Sequence, residues 1–381
     1  MAEKDQVICD PKKMIAQDSI NESLPPLFAG WIAEFLEGPI PRESRATCDD
    51  CAMCAHGEEQ RGPQTEFFDP VIKCCSYVPV LHNFLVGRIL ADDDPAAEVG
   101  RSSVEKRIKD GVAVTPLGLG HPPVFSLLYA NSNNAFGRSR NLRCPHYLED
   151  TGRCGVWRHR ESTCATWFCK HVRGSVGYAF WHQSLHQLLM SVENDLARWS
   201  VLELGLGNEA LRQLLAGESK SQPDSITGEA IDNRVNRESY DRLWDNWLGR
   251  EGEFFIECAK LVNPLSWTDV LSITGPEARA WARLTQDAYR DLTSNDIPSS
   301  LKAGQMHLVR ITRDVARVST YSAFDPVDIP TAVMESLHYF DGRKTDDALS
   351  AIATDKGIRL DPSLVRKMVD FGLLVPPGTS D

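Results

Sequence analysis

Nine of the chain's eleven cysteines fall between Cys48 and Cys169, and no other feature restricts the fold as much. They form a C-x2-C-x2-C run at Cys48, Cys51 and Cys54, a vicinal pair at Cys74 and Cys75, and then Cys144, Cys154, Cys164 and Cys169. Thiols two residues apart can fold back onto one point, so a soft metal or an iron–sulfur cluster is their natural occupant. Nine thiols exceed what one four-ligand site needs. They suffice for two sites, or for one site with spare thiols. Adjacent cysteines do not easily ligate one ion together, so Cys74 and Cys75 are expected to serve different centres unless one of them stays free.

The redox compartment decides how these thiols are read. Met1 to Lys13 is charged with no apolar core behind it, and no apolar run approaches the roughly 20 residues of a membrane span, so the expected location is the cytoplasm, with no membrane partner. A reducing compartment favours metal ligation over disulfides. The net charge of -12 argues against a nucleic-acid partner, but charge is unevenly spread. From Arg138 to Arg173 eight Lys and Arg stand against three Asp and Glu. Within that stretch Arg143, Arg153, Arg158 and Arg160 are expected to offset a cluster's negative charge or to hold an anionic substrate beside it. A four-thiolate zinc site is also anionic, so charge does not select the metal.

Length and periodicity predict a mainly α protein with small β elements. At 381 residues, two or three domains are expected. The expected division is an N-terminal lead and helix (1–40) followed by three domains: a loop-rich cysteine metal domain (41–177), a helical body (178–300) and a C-terminal winged-helix-like unit (301–381). Apolar residues at helical spacing mark Leu27–Leu36, Leu81–Leu90, Val104–Ile108, Tyr178–Leu204, Tyr240–Leu261 and Pro276–Leu292, with a linker at Gly217–Thr227. Thr115–Val124 reads as an irregular connection, and Gly118 with Gly120 is too short for a phosphate loop. Met306–Thr320 alternates as one or two strands. Asp341-Gly342 reads as a turn, Thr345 as a helix cap, and Asp361-Pro362 as an N-cap followed by proline.

Other candidate groups have ordinary explanations. Asp92, Asp93 and Asp94 read as a solvated loop with a helix N-cap. His182 and His186 share a helix face, but the glutamate of a zinc hydrolase helix is missing, which favours packing. His146, His159 and His171 are expected beside a centre, with His171 the strongest candidate for a ligand or a proton carrier. Trp157, Trp167, Phe168, Tyr178, Phe180 and Trp181 would pack around it.

The second cysteine segment carries a resemblance. Cys144-Pro145-His-Tyr-Leu148, Gly152-Arg-Cys154, Val156-Trp157-Arg158-x-Arg160 and Cys164-x4-Cys169 resemble the second half of the zinc- or iron-chelating CxxCxxCC family, which has also carried a flagellin N-methylase label. Cys48, Cys51, Cys54 and the Cys74-Cys75 pair resemble its first half. Two departures stand out: the vicinal pair lies some twenty residues after the first three cysteines, and Glu161 replaces the usual proline. A second, weaker likeness joins Leu337-x2-Phe340-Asp341-Gly342-Arg343-Lys344-Thr345, Val365, Val369 and Gly372-Leu373-Leu374 to the winged-helix peptide-binding modules of peptide-modifying enzymes.

The C-x2-C-x2-C run also occurs in bacterial ferredoxin ligand sets, here without their close fourth cysteine. The expectation is one or two iron–sulfur clusters of the 4Fe-4S type, with zinc as the alternative. The chain then reads as a redox or peptide-, protein- or small-molecule-modifying enzyme, an iron–sulfur-dependent oxidoreductase in the broad sense. Its expected partners are a peptide or protein at the C-terminal unit and an electron-transfer protein. The competing reading is a structural-zinc binding module that docks a partner.

Overall fold

A computed structural model describes residues 24–46, 51–54, 67–131, 135–218, 228 and 232–378. Cys48, most of the expected N-terminal lead and most of the expected linker lie outside these residues.

The chain is mainly helical with four small antiparallel sheets. Helix α1 (Pro26–Phe35) starts at a proline, whose missing N–H costs nothing at a first helical position, and buries Leu27, Phe28, Trp31, Ile32 and Phe35 along one stripe. Strand β1 (Leu81–His82) leads into α2 (Asn83–Leu90), and α3 (Glu98–Asp110) follows, ending on left-handed Gly111. The expected irregular connection is a hairpin of β2 (Val114–Thr115) and β3 (Gly118–Leu119), with β1 added to its other edge. Helix α4 (Pro123–Asn131) precedes a second hairpin, β4 (Tyr147–Leu148) with β5 (Arg153–Cys154). After α5 (Ser162–Thr166), α6 (Gly174–Tyr178) continues through a π-helical stretch, Ala179–Leu185, into α7 (His186–Glu203). Among the described residues, five further helices of the body follow: α8 (Asn208–Glu218), α9 (Arg237–Trp244), α10 (Glu251–Val262), α11 (Trp267–Ile273) and α12 (Pro276–Thr293).

One apolar core joins residues from three of the expected blocks. It contains Phe28, Trp31 and Ile32 of α1, Phe84 and Leu85 of α2, Val156 and Ala165 beside the cysteines, and Phe180, Trp181, Leu188, Phe254 and Phe255 of the body. The boundaries expected at residues 40 and 178 do not divide this core, although the cysteine segments also hold two small buried clusters of their own. Two close backbone approaches set the packing. A Cβ on Gly87 of α2 would lie 1.8 Å from the carbonyl oxygen of Phe255 on α10. A Cβ on Gly100 of α3 would lie equally close to the carbonyl oxygen of Gly155, the residue after Cys154, so α3 carries the second cysteine segment directly against its backbone.

The C-terminal unit has a separate core of Leu301, Val318, Ile329, Leu337, Phe340, Ile352, Val365 and Leu374, among others. Strand β6 (Ser300–Ala303) pairs with both β10 (Asp341–Lys344) and β11 (Leu374–Val375), while β7 (His307–Ile311), β8 (Val315–Ser319) and β9 (Val327–Pro330) form a meander. Helices α13 (Thr331–Ser336), α14 (Thr345–Lys356) and α15 (Pro362–Asp370) complete it. Asp361 caps α15 through Ser363 N at 2.8 Å, with Pro362 at the first turn as expected. Two local expectations change. Asp341-Gly342 belongs to a strand, with Gly342 at φ +99, and Thr345 is the first residue of α14, its hydroxyl donating to the Pro298 carbonyl at 2.6 Å.

Replacing Gly87 by alanine forces α2 and α10 apart, and overpacking of this kind costs about 3 kcal/mol. Urea denaturation of Gly87→Ala against the parent protein is expected to show that loss, while Gly30→Ala, where no atom lies within 4 Å of the added carbon, leaves stability unchanged or slightly raised.

Candidate metal centre

The described thiols sort into two groups that meet at the vicinal pair. Cys51 and Cys54 are hydrogen-bonded to each other, and the Cys51 thiol is close enough to those of Cys74 and Cys169 to alter their ionisation. Cys75 stands in the same relation to Cys144, Cys154 and Cys164. The Cys74 and Cys75 thiols touch, and Cys154 also senses Cys74, so the two groups are contiguous. Cys74, Cys75, Cys144, Cys154, Cys164 and Cys169 are free thiols, and Cys51, Cys54 and Cys144 are buried. Cys258 is a separate, fully buried thiol in the apolar core.

Local backbone structure assembles each group. The Cys54 amide bonds to the Cys51 carbonyl at 3.0 Å, closing a turn, and the Phe68 amide bonds to the Met53 carbonyl at 2.7 Å, tying that turn to the next segment. The Cys144 amide donates to the carbonyl of Cys75 at 2.7 Å, which joins the vicinal pair to the second segment. The β4–β5 hairpin sets Tyr147 opposite Cys154 and brings Cys154 back toward Cys144. Backbone amides also point at the sulfurs: His146 N at Cys144, Val156 N at Cys154, and Met53 N and Cys54 N at Cys51. Such N–H···S bonds stabilise thiolate and are a recurrent means of tuning iron–sulfur centres.

Electrostatics separates the two groups. The Cys54 thiol hydrogen bond pulls Cys51 down to about 6, making it the most readily ionised cysteine described. Burial pushes Cys144 up to about 12 and Cys169 to about 11, and raises Cys154. Burial and then the neighbouring Glu161 carboxylate push Cys164 far above its ordinary range. These thiols therefore stay protonated unless a positive ion lies among them, and a cation there would be held by the thiolates it creates. Among the described residues, no three Cys, His, Asp or Glu side chains close on one point at ligand distance. The donor set consists of neighbouring soft donors with amides aimed at several sulfurs, which fits a thiolate-bound metal group.

The four candidate arginines occupy different places. Arg160 is buried, stacks on Trp157 at 3.3 Å and lowers the pKa of Cys154. Arg153 lies on β5, opposite Leu148. Arg143 is paired with Glu149, and Arg158 with Asp94 at 3.1 Å, both at the surface. The cation that periodicity did not reveal is Arg107, buried on α3, which faces Cys144 and donates to Gly120 O at 2.5 Å.

A buried polar network borders the second group. Glu161 caps α5, accepting from Thr163 N at 2.5 Å and Cys164 N at 2.8 Å, so it holds a cysteine-bearing helix. Glu193 on α7 accepts from Ser162 N at 2.8 Å and Ser162 Oγ at 2.6 Å. Burial raises the pKa of both carboxyls, and the charge of Glu161 raises Glu193 further. Thr163 Oγ1 lies 3.2 Å from His186 Nε2. Glu193 stands in no recognisable motif, so spacing alone could not have found it.

The histidines are placed without convergence on the thiols. His146 contacts Ser103 Oγ at 2.8 Å and His159 contacts Asp92 at 2.7 Å, while Asp94 caps the short helical turn after it. His171 sits among the rings of Phe168, Tyr178 and Tyr321. His182 and His186 stack face to face, 5.5 Å apart and 3° from parallel, which suits packing better than joint ligation. Phe68, Phe136, Trp167 and Phe324 wall the first group, with Phe68–Phe136 at 5.1 Å and Phe136–Trp167 at 5.7 Å.

In comparisons with family models, with curated proteins and with solved structures, the chain matches none of them.

Glu43, between the first group and α6, supplies a pH test. Its carboxylate accepts from Val172 N at 2.5 Å and Trp181 Nε1 at 2.8 Å, yet burial outweighs both bonds and raises its pKa from the ordinary 4.5 to about 7. A folded-state value above the unfolded one gives stability that is complete below about 4.5 and lost as pH rises through about 7. The contribution amounts to about 3 kcal/mol at most. Unfolding free energy measured from pH 5 to 8 is expected to fall less steeply in Glu43→Gln than in the parent protein.

Proposed function

We propose that the chain is a cytoplasmic iron–sulfur protein holding two centres, one at Cys51, Cys54, Cys74 and Cys169 and one at Cys75, Cys144, Cys154 and Cys164. The observation that carries this reading is that Cys74 packs with Cys169 against the cluster of Cys51 and Cys54, while Cys75 accepts from the Cys144 amide and faces Cys144, Cys154 and Cys164, with Cys154 sensing both members of the pair. Amide donors aimed at Cys51, Cys144 and Cys154, together with Arg107 and Arg160 beside the second group, would stabilise anionic thiolate-bound iron. The second group also has buried carboxyls within reach, so it is the candidate for chemistry on a peptide, protein or small molecule. Bound there, a cluster would supply one-electron redox capacity. The protein's own contribution is to exclude water, orient the sulfurs and keep Glu161 and Glu193 next to them.

A second reading concerns the partner. Strand β7 pairs only with β8 among the described residues and exposes Leu308 at 51% and Ile311 at 53%. An unprotected apolar edge strand suits addition of an extended peptide strand. On this reading, peptide binding measured by fluorescence anisotropy would be abolished by Leu308→Asp with Ile311→Asp.

The deciding experiment is iron and acid-labile sulfide analysis on anaerobically purified protein. Two 4Fe-4S centres predict about eight irons with matching sulfide. Cys51→Ser is expected to remove the first centre and Cys164→Ser the second, each leaving about half the iron and a changed visible spectrum. Zinc at about one or two ions per chain without sulfide would replace the redox reading with the structural one.

A further inference from the structure

The C-terminal unit reaches the first thiol group. Its β8–β9 loop carries Phe324, which packs on the buried cluster of Cys51, Met53, Cys54 and Phe68 and lies 5.9 Å from the Phe68 ring. The next residue, Asp325, is only 4% exposed and is held by three hydrogen bonds from two residues. Arg45 donates to it at 2.7 and 3.3 Å, and Tyr321 donates its hydroxyl from within the loop. Arg45 also donates to the His171 carbonyl at 2.8 Å, and the His171 amide donates to Tyr321 at 3.2 Å. One guanidinium thus ties the segment entering the first cysteines, the segment leaving Cys169 and the loop of the C-terminal unit. It also lies over Phe371, 5.5 Å from the ring centre.

We propose that the β8–β9 loop is a cover over the first thiol group, with Phe324 as its seal and the Arg45–Asp325 pair as its catch. Among the described residues, the apolar clusters beside the second group include none from this unit, so the cover lies over one group. A partner that pulls on the C-terminal unit would open the first group, and by linkage opening that group would favour the partner. The cover follows from the packing alone. Only its consequence, control of access to a metal centre, rests on the iron–sulfur reading.

Hydrogen–deuterium exchange on the full-length protein tests the cover, because amide exchange reports local opening whether or not the sulfurs carry metal. In Asp325→Ala and in Phe324→Ala, amides of residues 51–54 and 67–69 are expected to exchange about tenfold faster, while those of 144–156 stay within about twofold of the parent. Phe324→Ala leaves the ion pair in place, so it answers the question if Asp325→Ala does not fold. Unchanged exchange at 51–54 in a folded variant overturns the proposal, and so does equal acceleration of both groups. Iron content read on the same samples separates the two questions. Selective acceleration in protein that lacks iron upholds the cover and removes its metal consequence.

Discussion

A single peptide bond joins Cys74 to Cys75, and most of the site's geometry follows from it. Their α-carbons are about 3.8 Å apart, too near to belong to separate regions. Cys74 nevertheless lies toward Cys51, while Cys75 faces Cys144, Cys154 and Cys164, and Cys154 senses both. Two groups built this way cannot drift apart, and any change in one is felt at the other through one turn of chain. The Cys144 amide bond to the Cys75 carbonyl fixes the same turn from the far side.

The cysteine segments are poor in apolar side chains and depend on the helices around them. Helix α3 approaches Gly155 backbone to backbone, α7 supplies Glu193 to Ser162, and the π-helical stretch brings Trp181 to Glu43. A π-helical segment rotates the residues after it relative to those before it, so α6 and α7 present different faces although they form one rod. The burial that assembles the second group also favours the protonated form of its thiols and carboxyls. The proposed metal groups would reverse that balance for the thiols.

A second tie joins the C-terminal unit to the body. Asp370 accepts from Arg173 at 2.6 and 3.0 Å and from Arg366 at 2.9 Å, while Arg173 also reaches the carbonyls of Leu292 and Ser294. With Asp325 and Arg45, two buried carboxylates meet arginines that flank the cysteine segments. Losing one partner of such a pair strands a buried charge, which is why these contacts govern docking more strongly than exposed ion pairs do.

Helix identity was legible because it depends on near neighbours. Trp31 and Phe35, Leu188 and Val192, and Asp361 before Pro362 declare their roles by spacing or by capping chemistry. The cysteine inventory was equally plain. The pairing of thiols into groups was not, because it depends on a hairpin that returns Cys154 to Cys144. Arg107, Glu193 and Asp325 also escaped, since each is an ordinary helix or loop residue until a distant segment buries it. Sequence alone determined which soft donors and which helices the protein possesses, because residue type and short-range periodicity are properties of the chain. Only the tertiary structure decided which donors are neighbours and which charges face them, because burial and proximity arise between segments far apart in sequence.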